Sequence, residues 1–336
     1  MMNSRRAFLA GSTAAALTTF LAGCSQDLPA SPSATVSAEA QPVLDSDRLT
    51  AVLERINTGL VAADKDKDAD ALSGYLTGPA VRVRKAEYAI ATAAGDDGLI
   101  DVFSTTSQAG AVGLTTAFPR TALTVTQTDA TNTVPYLLTL TQESPRDDYE
   151  LWGWARLFAG VEVPSTTTAS VGSEQIDVQS TGLVKTPQEV LEAYIDALNA
   201  PDGENGVLFA DDPVRQSVAA ARATDVAAAG EVSVSASAGT DGFKGLRTTE
   251  GGAIVTTTLG YSTVYKKTVA GATFNLGGTV GTLLGSDTEV RGTVTASYDV
   301  IIAFSVPSAD VGGAPVALGA TMVLSSVARD DSQAPA

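Results

Sequence analysis

Apolar residues recur at helical spacing from Leu49 onward, with Val52, Leu53, Ile56 and Leu60 completing one stripe. Asp45, Ser46 and Asp47 stand just ahead of it, and all three are good cap residues. The spacing predicts an amphipathic helix with one buried face, running into an acid-rich stretch from Asp64 to Asp70. A second helix is expected from Gly78-Pro79, where a proline in the first turn loses no hydrogen bond, through Val81, Tyr88 and Ile90 to about Gly95. After a Gly- and Thr-rich passage the apolar period changes from 3.6 to 2. Residues 121–128, 136–143 and 149–158 read as strands, and in the third Trp152, Trp154, Arg156 and Phe158 share a face opposite Leu151, Gly153, Ala155 and Leu157.

The same order then returns. Residues 164–182 are polar with no sustained period. Thr186-Pro187-Gln188-Glu189 next makes a capping box ahead of a stripe of Val190, Leu191, Tyr194, Ile195 and Leu198. Asp211-Asp212-Pro213 opens an Ala-rich helix expected to reach about Ala229. Strands are expected at 231–238, 253–267, 289–306 and 316–329. The third of these alternates over the longest run, with Val290, Val294, Ala296, Tyr298, Val300, Ile302, Phe304 and Val306 on one face and a bend near Gly292. Gly271 to Gly285 reads as strand and loop with bends, and it is no phosphate loop because no Gly-Lys-Ser/Thr follows. Helices ahead of antiparallel strands, twice, predict an α+β protein of two tandem domains, each with N-terminal helices on a curved antiparallel sheet. The expected divisions are 47–164 and 185–330 for the domains, 165–184 for a linker and 331–336 for a tail.

That order resembles the cone-shaped fold of the ketosteroid-isomerase-like superfamily, repeated in tandem. The acid-rich turn Asp64 to Asp70, the Gly78-Pro79 helix start with Arg84 and Tyr88, and the Trp-rich strand with Arg156 together resemble a tandem-domain lipoprotein family of actinobacteria. That family brings no established activity to carry over.

Near its start the chain carries Ser4-Arg5-Arg6-Ala7-Phe8-Leu9 and an apolar run that ends in Leu21-Ala22-Gly23-Cys24. The run falls short of the roughly 20 apolar residues that span a bilayer, so 1–23 reads as a signal peptide. It resembles a bacterial lipoprotein signal with its lipobox, and Arg5 and Arg6 are similar to a twin-arginine export pair. The resemblance implies diacylation of Cys24 and a protein held on the outer face of the plasma membrane. Residues 24–46 are then expected to form a flexible tether, about 25 Å in span if about 20 residues behave as coil.

Composition removes most chemistries. There is no histidine, which excludes Ser-His-Asp and Cys-His catalysis and histidine-ligated metals, and Cys24 is the one cysteine. With 38 acids against 21 bases, and a net charge of −17, nucleic acid is a poor partner. Asp64, Asp66 and Asp68 alternate as in a calcium loop, but Ala69 and Tyr75 stand where glycine and glutamate are needed, so a solvated helix end is the plainer reading. No metal and no cofactor are expected. A pocket is conceivable around Tyr88, Arg84, Trp152, Trp154 and Arg156, set against the reading that the aromatics are core anchors. Tyr88 as donor with Glu87 as base would suit an isomerase, but neighbours on a helix point about 100° apart.

These residues favour a lipid-anchored, non-catalytic envelope module that binds a small apolar ligand or another envelope protein. The alternative is an isomerase- or hydrolase-like enzyme using Tyr and carboxylates. A transporter's solute-binding lipoprotein would instead alternate strands with helices.

Overall fold

The computed structural model describes residues 39–130 and 133–335. The expected signal segment, with Arg5, Arg6 and Cys24, and most of the expected tether lie outside the described residues.

Asp45 accepts the Arg48 N–H at 2.8 Å and starts α1 (Ser46–Asp66), which Lys67 ends in a left-handed conformation at φ 50°. Gly78 precedes α2 (Pro79–Ala94), and Gly95 closes it at φ 65°. The capping box forms as expected: Thr186 and Glu189 exchange hydrogen bonds at the start of α3 (Pro187–Asn199). Asp212 caps α4 (Pro213–Arg222). That helix stops short of Ala229 because the Asp225 carboxylate accepts the Ala227 N–H at 3.2 Å, a local turn that competes with helix. Gly278–Leu284 forms a fifth helix, α5, where only bends were expected. It is too short to show a period, and packing of Val280 against the main core holds it.

The strands are β1 (Gln41–Pro42), β2 (Ser107–Thr115), β3 (Arg120–Thr126), β4 (Tyr136–Gln142), β5 (Glu150–Leu157), β6 (Ser173–Ile176), β7 (Gly230–Arg247), β8 (Ala253–Lys267), β9 (Thr293–Val306) and β10 (Val316–Asp330). They hydrogen-bond in the order β1-β2-β3-β4-β5-β10-β9-β8-β7-β6, and β6 also pairs with β2. That last pairing closes nine strands into a barrel.

The α+β class is confirmed. Two tandem domains and a cone are not, because strands from both sides of 165–184 enter one closed sheet and Ala40–Ala336 form one compact unit. The expected linker itself contains β6, and the expected tether contains β1, which pairs Gln41 with Thr115. α1 packs outside β2, and α3 and α4 outside β7 and β8, each with its own half, whereas α2 lies over both β5 and β10.

The two half-sheets meet at two narrow seams. Among the described residues, β5 joins β10 at Leu157–Gly319 and Arg156–Ala320, while β2 joins β6 at Gly113–Ser173 and Leu114–Glu174. Ala111, Leu123, Leu137, Ala155, Ile254, Ala303 and Leu318 make a third apolar cluster, drawn from both half-sheets and separate from the two helix-covered cores. Thr139 of β4 and Thr256 of β8 meet across the barrel at 2.8 Å, both wholly buried.

Two strand expectations need correction. In β5 the ladder slips between Leu151 and Gly153, so Leu151 joins Trp154 in the core beneath α1 and α2 rather than lying opposite it. In β7 the register shifts between Ala238 and Phe243, which hid the alternation beyond 238. The expected bend near Gly292 falls just before β9, where a side chain would meet the Asp330 carbonyl at 2.4 Å.

Candidate functional site

Arg84 is the largest charged side chain in the core, only 1% exposed. Its Nη1 donates to Glu87 Oε2 and to the Asp101 carbonyl, both at 2.8 Å, and its Nε lies 3.5 Å from Asp64 Oδ1. The guanidinium carbon sits 4.9 Å from the Trp154 ring and 5.5 Å from that of Phe103. Tyr88 donates to Asp64 at 2.6 Å. Tyr136 and the Trp154 indole N–H both donate to the Asp101 carboxylate, at 2.7 and 3.2 Å. The end of α1, one face of α2, the loop through Asp101 and strands β4 and β5 thus share one polar network in an apolar core.

Burial controls the titration here. Desolvation raises Glu87 to about 8, against the lowering effect of Arg84. Tyr88 and Tyr136 are pushed well above the usual phenol range by burial and by the carboxylates they face.

Of the residues singled out in the sequence, Arg84, Tyr88 and Trp154 come together in this network. Arg156 lies beyond it, exposed, and lines a cleft shared with Glu87 and Asp101. Trp152 is placed elsewhere, against the start of α2, where a Cβ on Gly78 would approach its indole nitrogen to 3.2 Å. Glu87 does face its neighbours, but as the partner of Arg84 one turn away rather than of Tyr88. Asp101, Phe103 and Tyr136 were not singled out. Asp101 and Phe103 lie in a loop with no period, while the i, i+3 spacing of Arg84 and Glu87 was the available signal for that pair.

The acid-rich turn serves structure. Asp64 takes Tyr88, and Asp68 accepts the Asp70 N–H at 2.9 Å. Among the described residues no group of three His, Cys, Asp or Glu converges as metal ligands.

The other half carries a smaller counterpart. Tyr194, fully buried, donates to both oxygens of Asp212 at 2.9 Å, and Phe209 and Phe304 meet its ring edge-on. Replacing Tyr194 with Phe is expected to lower stability by about 1–2 kcal/mol, because Asp212 is left buried without that donor. An unchanged urea midpoint would contradict the assignment.

A different kind of site opens between the start of β2 and the segment that precedes β6, with the start of α1 at its side. A pocket of about 620 Å³ is bounded by residues 107–111 on one side and 163–169 on the other. Leu123, Leu137 and Ile254, all members of the inner cluster, form its floor. Its rim is hydroxyl-rich: Ser107 bonds Thr124 at 2.7 Å, and Thr167 bonds Ser173 at 2.6 Å. None of the described residues lining it is charged, and none is Tyr. Comparison of the chain with family models, with curated proteins and with solved structures finds no match.

Proposed function

We propose that this protein is a lipid-anchored, non-catalytic binding module of the envelope, tethered through Cys24, which takes a small uncharged ligand into the pocket between β2 and residues 163–169. One observation carries the reading: the pocket reaches the barrel's inner apolar cluster, yet its lining holds no charged or titratable side chain. An apolar floor with a few hydroxyls at the rim suits an uncharged, mostly apolar molecule with one or two hydrogen-bonding groups. General acid–base chemistry has no candidate there.

The enzyme reading is favoured by one observation, the raised Glu87 beside a cleft. Its oxygens, however, are already engaged by Arg84 and by the Asp101 backbone N–H, while the nearby tyrosines donate to Asp64 and Asp101. A substrate would find these donors taken.

The test uses N-phenylnaphthylamine, an uncharged apolar fluorophore. The parent protein is expected to bind it saturably. Ala109→Trp, at an exposed position on the pocket wall, should weaken binding at least about tenfold without lowering the melting temperature. Undiminished binding by a folded variant would overturn the site. Anchoring is tested separately: Cys24→Ala should move the protein from the membrane fraction to the soluble one.

A further inference from the structure

The β5–β10 seam has a cleft of about 720 Å³, where α2, residues 97–102 and β10 surround Arg156. Its walls are apolar through Ile90, Ile100, Met322 and Leu324, and Leu99 and Val102 present 39% and 66% of their surface to water beside it. The acids in the cleft have partners. Asp97 is held by Lys67 at 2.7 Å, Asp101 accepts from Tyr136 and Trp154, and Glu87 accepts from Arg84.

Arg156 stands apart. It is exposed, and no hydrogen bond or ion pair engages its guanidinium among the described residues, in a chain with 38 acids for 21 bases. We propose that this cleft binds an amphipathic monoanion, with its apolar body against Ile90, Val102 and Met322 and its anionic head on Arg156. A planar guanidinium matches a carboxylate through two parallel hydrogen bonds. The site is distinct from the uncharged barrel pocket, and the two differ in the sign of the ligand they select.

The experiment compares dodecanoate with dodecanol by titration calorimetry on the full-length protein carrying Ala109→Trp, which closes the barrel pocket to the alcohol. Dodecanoate is expected to bind at least about tenfold more tightly, and Arg156→Gln should erase that advantage while leaving dodecanol unchanged. Arg156 is exposed on its strand, so the variant should fold, and far-ultraviolet circular dichroism checks that it does. Ala109→Trp, which plugs the other pocket, should leave dodecanoate binding intact. Equal affinity for the two probes, retention of dodecanoate affinity in Arg156→Gln, or loss of it in Ala109→Trp would each overturn the proposal.

Discussion

Replacing Arg84 with Met is expected to destabilise the fold by about 3–5 kcal/mol, the largest loss of any single substitution considered. Methionine fills much of the volume of the arginine stem but supplies no donor. The Asp101 carbonyl and Glu87 Oε2 each lose a 2.8 Å hydrogen bond, and Asp64 loses its nearest cation. The faces of Trp154 and Phe103 lose the guanidinium packed over them. Water cannot compensate at a site this deeply buried, so the remaining polar groups bear the desolvation cost. The double variant Arg84→Met/Glu87→Leu removes both partners and should recover at least about 1 kcal/mol of the loss. Urea unfolding of parent, single and double variants checks both statements. A single variant within about 0.5 kcal/mol of the parent would show that the network contributes little to holding α2 against β5.

Much of the local structure was legible because its causes are local. Asp45 and the Thr186–Glu189 box set helix starts through hydrogen bonds made within a turn, and Pro79 sets another through its fixed backbone angle. The apolar alternation of Val294 through Val306 appeared because one face of β9 packs beneath helices along its whole length. What could not be read is non-local. The barrel closes through residue pairs such as Gly113–Ser173, which lie in stretches of small and polar residues with no period of their own. Since β2 carries Gly110, whose missing side chain lets Leu49 approach, its sequence does not resemble a strand. The separation into two domains was the natural expectation from order alone. Order does not say whether two curved sheets close on themselves or on each other. The candidate site divided in the same way: Arg84 and Tyr88 are one helical turn apart and could be paired in advance, whereas Asp101 reaches them only through tertiary packing.

Glu87 supplies the second large effect, a dependence of stability on pH. The folded protein holds its carboxyl proton up to about 8, against an ordinary value of 4.5, chiefly because burial disfavours the charge. Between those two values the folded chain binds more protons at this site than the unfolded chain, so stability falls as pH rises. Each pH unit within the window can remove up to about 1.4 kcal/mol, and a loss of about 2–4 kcal/mol from pH 5 to pH 8 is expected from this group. Below 4.5 both states are protonated and above 8 both are ionised, so Glu87 contributes no slope outside the window. Glu87→Gln keeps the shape and the acceptor for Arg84 but cannot titrate. Its unfolding free energy should therefore lack this part of the slope, and the two proteins should differ most in pH dependence between pH 5 and 8. Asp212 is also raised by burial, but it is present in both proteins and drops out of the difference. Because Arg84 lowers the Glu87 value, Arg84→Met should carry the falling limb to still higher pH. Parallel stability profiles for parent and Glu87→Gln would mean that the carboxyl is ionised in the fold at neutral pH. The Arg84 contact would then be a full ion pair, and the cleft beside it would carry one more negative charge against an anionic ligand at Arg156.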